Sequence, residues 1–280
     1  MKYIFLLAIS LVAILTKGQI NVPAASPTFE IKGMVGFADV KVVYSGPSAR
    51  GRVVAGNLIP YNEVWRTGAN ASTKISFSDD VKLDGHPVPA GEYALYTIFT
   101  EDKATIILNK DLTLWGAAGY DPAKDQLRFD VPVKHPSSHY ETFTISFSDV
   151  TRDAAYLNLK WEHTKAMFKI ESEVDSRVMA EIDTKVIKGN ATDANTLYDA
   201  ADYYYDTERD SKLALGWITQ AIQASEKEQY WMYYLQAKLQ ARLKLNKEAA
   251  QTATKAMALA RTAGNMDYVR LNEQLIASVK

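Results

Sequence analysis

The sequence predicts a β-rich first part, an antiparallel sandwich or barrel, followed by an all-α domain of helical hairpins. Three observations carry this reading. Before residue 170, about ten short segments alternate apolar and polar residues with no helical stretch between them, the pattern of antiparallel strands. At Glu171 the apolar period changes from two to about 3.6 residues. Beyond it, residue types recur in pairs: Leu197 with Met232, Tyr204 with Leu239, Ala214 with Ala249, Ala221 with Ala256, Ile222 with Met257.

The first residues read as an export signal. Lys2 supplies a positive start, Tyr3 to Leu15 is an apolar run, and Thr16-Lys17-Gly18 follows. The run is too short to span a bilayer comfortably, so residues 1–18 are expected to be a leader cleaved near Gly18–Gln19. A buried N-terminal strand or helix is the alternative. Losing Lys2 and Lys17 from 32 basic residues leaves 30 against 33 acidic. That balance gives no electrostatic reason to expect nucleic acid. The chain has no cysteine, which excludes disulfides, a thiol nucleophile and Cys-based metal sites. No later apolar run approaches membrane-spanning length. The expected product is exported, periplasmic or extracellular, without stable membrane insertion.

Residues 19–26 (QINVPAAS) read as a linker. Phe29 to Val35 and Val40 to Tyr44 read as strands around a Gly-Phe-Ala-Asp turn, and strand character resumes at Lys74 to Phe77. Val81 and Leu83 lead into Asp84-Gly85, a strong turn pair. Tyr93, Leu95, Thr97 and Phe99 share one face, with Ala94, Tyr96 and Ile98 on the other. Both faces read as at least partly buried. Ala104 to Leu108 continues the meander, and Asn109 to Asp125 is irregular, with Trp115-Gly116 and Tyr120-Asp121-Pro122 prominent. Strands return at Leu127 to Val133, Phe143 to Phe147, Ala155 to Trp161 and, after a tight Glu162-His163-Thr164 turn, Ala166 to Ile170.

In the helical part, Val174, Val178, Ile182 and Val186 form one stripe ending near Gly189-Asn190. Thr192-Asp193 is placed to cap the next helix. Four more helices follow, over Leu213–Ala224, Tyr230–Leu243, Lys247–Arg261 and Met266–Val279. The recurrence at a spacing of 35 resembles the tetratricopeptide array of helical hairpins. The Gly of the first helix and the terminal Pro usual in that repeat are missing, and a generic helical bundle is the alternative. The expected organisation is a leader (1–18), a linker (19–26), a β domain (27–170) and a tetratricopeptide-like domain (171–280).

The stretch richest in chemistry runs from Tyr44 to Asn70. It holds Arg50, Arg52, Arg66, Trp65, Tyr61 and several turn residues. A loop this long inside a compact domain is functional or disordered, and its aromatic content argues against disorder. Guanidinium groups pair with carboxylates and phosphates at two points and stack on rings. Tyr44, Arg50, Arg52, Trp65, Arg66 and Asn70 are therefore candidate contacts for an anionic or sugar-like ligand. The competing reading has the arginines pairing with acids such as Glu63 to brace the loop.

Other chemistry is sparse. His135 and His139 are four apart, but Pro136 between them argues against a helical zinc pair. No metal site and no cofactor is expected. There is no G-x-S-x-G elbow, phosphate-binding Gly loop, dinucleotide fingerprint or H-E-x-x-H. The carboxylates Glu63, Asp84, Asp121 and Asp125 are scattered, although a glycosidase assembles its acid pair from distant strands. The tyrosine-rich helical stretches at Tyr203-Tyr204-Tyr205 and Tyr230–Tyr234 read as helix packing, with lining of a partner groove as the alternative.

The motifs VVYSGPSARGR, NLIPYNEVWRTGANAST, VPAGEYALYTI and LNKDLTLWGAAGYDPAKD, in that order, resemble the bacterial envelope family called domain of unknown function 2911. The resemblance covers roughly residues 24–170. It implies an exported all-β domain and no particular reaction. Gly46 stands where the family has Arg, and Val53-Val54-Ala55 replaces a run usually richer in Ile and Phe. The leading expectation is non-catalytic binding in the envelope, with the helices engaging a protein partner. A hydrolase acting on an envelope glycan, and a purely structural protein, are the alternatives.

Overall fold

The computed structural model describes residues 22–279. The leader expected over residues 1–18, its cleavage point, and the first residues of the 19–26 linker lie outside the described residues. The chain divides into two compact units, one ending at Glu173 and one beginning at Val174.

The first unit is a twelve-stranded antiparallel sheet. Its opening strands are β1 (Thr28–Val35), β2 (Ala38–Ser45), β3 (Val64–Trp65) and β4 (Thr73–Phe77). The hairpin β5 (Val81–Leu83) and β6 (His86–Val88) precedes β7 (Gly91–Phe99) and β8 (Lys103–Asn109). The last four are β9 (Asp125–Lys134), β10 (Tyr140–Ser148), β11 (Ala154–Glu162) and β12 (Thr164–Ser172). The expected turn pair joins β5 to β6, with Asp84 at φ 44° and Gly85 at φ 82°, the geometry of a two-residue hairpin turn.

The sheet runs β1-β2-β4-β7-β8-β9-β12-β11-β10 and curls into a nearly closed barrel. β9 carries it round: it pairs β8 along most of its length, then sets Val133 opposite Ala166 and Lys134 opposite Lys165 of β12. The alternating apolar residues point inward. Val42, Ile75, Leu95, Ile106, Leu157 and Phe168 are fully buried in one continuous core. Closure comes from chain that continues β2. The Phe143 N–H donates to Pro47 O (2.8 Å), the Ala49 N–H donates to Glu141 O (2.7 Å), and Ser48 bridges Thr142. Gly46 suits this seam, because a Cβ there would lie 2.9 Å from Phe143 O and 2.8 Å from the Phe29 ring. Gly46 thus sits where the backbone of the opposing strand comes close.

A smaller cluster lies on the outer face of β7 and β8. Ala94, Tyr96 and Ile107 are buried there beneath Leu112, Leu114, Ala117 and Tyr120. The irregular 110–121 segment is therefore a strap over the sheet, which is why both faces of β7 are apolar. Its ties are polar. Asp111 accepts from the Thr113 N–H and hydroxyl and from Lys124, and Asn109 donates to Asp121 O and Asp125 Oδ1.

The second unit holds six helices: α1 (Asp175–Ile182), α2 (Ala194–Asp206), α3 (Ser211–Ala224), α4 (Tyr230–Arg242), α5 (Asn246–Thr262) and α6 (Met266–Ser278). α1 runs on into a π turn over Asp183–Ile187. Asp193 caps α2, accepting from the Thr196 N–H. Leu197, Met232, Tyr204, Leu239, Ala214, Ala249, Ala221 and Ala256 are all buried, so positions that recur in the sequence share one environment. Alanine at such positions lets helices approach closely. Of the tyrosine-rich stretches, Tyr203, Tyr204 and Tyr233 are buried, while Tyr205 and Tyr234 flank the Lys238 ammonium at 4.1 and 5.1 Å.

Candidate functional site

The six residues singled out in the 44–70 segment fall into distinct environments. Tyr44 is a core residue, its ring against Phe29 and Phe143. Arg50 is exposed at φ 52°, and its backbone N–H donates to Glu141 Oε1 at 2.8 Å. Arg52 folds back on its own loop, with Nε donating to Ala49 O and Nη2 to Ser48 O, both at 2.8 Å. Asn70, at φ 60°, donates from Nδ2 to Ser26 O and Ser45 Oγ. Arg52 and Asn70 therefore serve as ties, to carbonyls and hydroxyls rather than to Glu63.

Trp65 turns into the barrel. It stacks on Trp161 at 5.8 Å and 19° and meets the Phe143 ring at 5.0 Å. These rings, with Phe99, Leu159 and the loop residues Val54, Ala55 and Ile59, line a crevice of about 290 Å³, open mouth included. Glu162 fastens the loop over it, accepting from the Val54 N–H at 2.9 Å.

Arg66 leaves on the opposite side, as neighbours along an extended chain do. The turn after it is held closely. Thr67 is at φ 53°, the Thr73 hydroxyl donates to Thr67 O at 2.6 Å, and the Thr73 N–H donates to Arg66 O. A Cβ on Gly116 would lie 3.3 Å from Arg66 Nη1, so the guanidinium reaches the underside of the strap. Three more polar side chains gather there. Ser72 donates from N and Oγ to Leu114 O. Lys74 Nζ donates to Ser72 Oγ (2.5 Å) and Ser72 O (3.0 Å). The Tyr96 hydroxyl donates to Gly116 O at 3.3 Å.

This cluster is cationic and only partly solvated. Burial pushes the Lys74 ammonium below its usual pKa, against the opposing pull of Glu92 and Asp111. Burial raises the Tyr96 phenol. Arg66 Nε is buried without a hydrogen-bond partner, and neither Arg66 nor Lys74 makes an ion pair among the described residues. Of the predicted residues, then, Arg66 alone joins this cluster. Ser72, Lys74, Tyr96 and Gly116 were not singled out by the sequence as its partners. The only sequence signal for them was Trp115-Gly116 standing out in an irregular stretch.

The remaining candidates sit elsewhere. The His139 and His163 rings lie 5.2 Å apart, tilted by 54°, with His139 Nε2 3.3 Å from Glu141 Oε2, and residues 135–139 are not helical. Asp84 accepts from the Lys169 N–H, and Asp121 accepts from the Ala123 N–H. Asp125 takes bonds from Tyr120, Asn109 and Arg128. These carboxylates serve turns and strap ties rather than one shared cleft.

The model of the family described as protein of unknown function (DUF2911) matches residues 26–170, more than half of the chain. No curated protein and no solved structure matches it. The chain belongs to the DUF2911 family.

Proposed function

We propose that this DUF2911 member is an exported envelope protein that binds an anionic ligand without transforming it, with Arg66 and Lys74 as the cationic contacts. The observation that carries the reading is the Arg66 guanidinium, partly buried, with Nε unsatisfied and no acid paired to it. An unsatisfied buried donor costs about 1–3 kcal/mol, and a guanidinium with no acid paired to it keeps its charge available to an oxyanion. Lys74 adds a second positive charge beneath the same strap. A brace would have its partner in place, as Arg52 does.

The test is thermal unfolding with added acetate or inorganic phosphate at constant ionic strength. A ligand at tenfold excess over its Kd stabilises by about 1.4 kcal/mol, so the wild-type Tm is expected to rise. Arg66→Ala is expected to abolish the rise. An anion effect of equal size in both proteins rejects the reading.

Export rests on the charged, apolar start of the chain. N-terminal sequencing of the secreted product is expected to begin near Gln19, and an intact Met1 on a cytoplasmic product would reject it. The helical unit is read as a tetratricopeptide-like surface for a protein partner. That reading is supported by the matched burial of residues recurring at a spacing of 35.

A further inference from the structure

A row of side chains crosses α2, α4 and α6 without a break. The Lys238 ammonium of α4 lies over the Tyr205 ring of α2 at 4.1 Å and over the Tyr234 ring of α4 at 5.1 Å. Tyr234 packs on Tyr268 of α6 at 5.4 Å, and Tyr268 on Tyr230 at 4.8 Å. Arg242 covers Tyr205 at 3.8 Å and donates to its carbonyl. Asp202 of α2 belongs to the same face. Its carboxylate lies near enough to act on Tyr198 of α2, on Lys238 and on Tyr268. Three helices therefore converge here.

The face is open. Tyr198, Tyr205, Tyr234 and Tyr268 are all partly exposed. Their hydroxyls have no hydrogen-bond partner among the described residues, and none is sealed from water. Other tyrosines of the unit differ: Tyr203 donates to Asp175, Tyr233 donates to Glu228, and Tyr230 accepts from Asn265. Rings held by their neighbours with free phenols bind at low entropic cost. Charge selects the partner. Asp199, Asp202 and Asp206 follow one another at spacings of three and four on α2, which sets them on one side of the helix. Against them stand Lys238 and Arg242, both already on the Tyr205 ring. The Tyr198 phenol is pushed up to about 12, first by burial, then by Asp202, Tyr268, Asp199 and Asp206. The Asp199 carboxyl is raised by burial and by the nearby charges of Asp202 and Asp193. An incoming cation relieves such crowding of like charge, and tyrosine ring faces attract cations as well.

We propose that this face docks a basic segment of a partner protein, with an arginine side chain received by Tyr198, Tyr268 and Asp202. The proposal rests on reading the helical unit as a surface for a protein partner, and the two fail separately. Calorimetric titration of the protein with three peptides distinguishes them: acetyl-Gly-Arg-Gly-Arg-Gly-amide, and its counterparts with citrulline or glutamate in place of arginine. The arginine peptide is expected to bind about tenfold more tightly than either counterpart. Asp202→Asn, which keeps the side chain's size, is expected to weaken it about fivefold with unchanged helical circular dichroism. Asp206→Asn, at an exposed position, is expected to weaken it about twofold. Glu248→Gln removes the same charge from an exposed position on α5 and is expected to leave the affinity unchanged. Equal weakening by Glu248→Gln, or none by Asp202→Asn and Asp206→Asn, overturns the proposal. If the citrulline or glutamate peptide binds as tightly as the arginine peptide, the basic partner falls and the partner surface stands. Absence of binding by all three peptides overturns both readings.

Discussion

Substitution at Arg52 and Arg66 separates two uses of one side chain. Arg52→Ala removes two charge-assisted bonds to carbonyls of its own loop. It is expected to cost about 1 kcal/mol, the lower range for such bonds because the side chain is solvated. Arg66→Ala removes no internal side-chain bond and no ion pair. Because it takes away an unsatisfied buried donor, it is expected to leave stability unchanged or raise it by up to about 1–3 kcal/mol. Denaturant unfolding of both variants checks this. A loss of about 3 kcal/mol or more at Arg66, the range for breaking a buried pair, would show that it has a structural partner after all. Both residues are arginines among turn residues, so composition could not assign these roles. What distinguishes them is the chain lying over each: the Ser48–Ala49 carbonyls for Arg52, and Gly116 for Arg66.

At the scale of elements, the 110–121 strap explains why β7 is apolar on both faces and why the site is only half solvated. Tyr120 anchors it. Its hydroxyl donates to Asp125 at 2.7 Å and accepts from Arg128 at 2.7 Å. Burial first, then the Asp125 hydrogen bond, pushes this phenol up to about 12 from 10.0. A folded-state pKa raised above the unfolded one gives stability that is complete below pH 10 and lost as pH rises toward 12. Tyr120→Phe is therefore expected to make stability less steep over that window. It is also expected to remove one late-ionising phenol from an absorbance titration. Unchanged titration in the variant would mean that Tyr120 ionises with the ordinary tyrosines. The helices need less explanation at this scale. Asp193 caps α2 where the sequence placed it, because capping is a contact between residues three positions apart.

For the whole molecule, the division at Glu173 and Val174 bears on which fragments fold. β12 continues to Ser172, pairing Glu171 with Lys82 and Ser172 with Val81. The Ser172 hydroxyl also accepts from the Phe37 N–H. A fragment of residues 24–173 is expected to unfold cooperatively and to keep the anion-dependent rise in Tm. Ending it at residue 170 cuts off these last pairings and is expected to lower stability by about 1–3 kcal/mol, at about 1 kcal/mol per net hydrogen bond. Failure of the longer fragment to fold, with the intact chain stable, would mean that the two units fold as one.

The sequence by itself determined the order of strands and helices, the turn at Asp84-Gly85 and the cap at Asp193; the change of period that it places at Glu171 falls in the structure between Ser172, the end of β12, and Asp175, the start of α1. Each rests on periodicity or turn chemistry, which acts over a few residues and survives in any one-dimensional reading. It also marked the segment from Tyr44 to Asn70 as unusual. The tertiary structure decided how that segment divides. Tyr44 and Trp65 go to the core, Arg52 and Asn70 to ties, and Arg66 to the underside of a strap fifty positions further along the chain. It decided, too, that the barrel closes through Ser48 and Thr142, which are 94 positions apart. Such pairings follow from how the sheet curls and which backbones it brings together. That curvature is a property of all twelve strands acting at once, and no local stretch of sequence carries it.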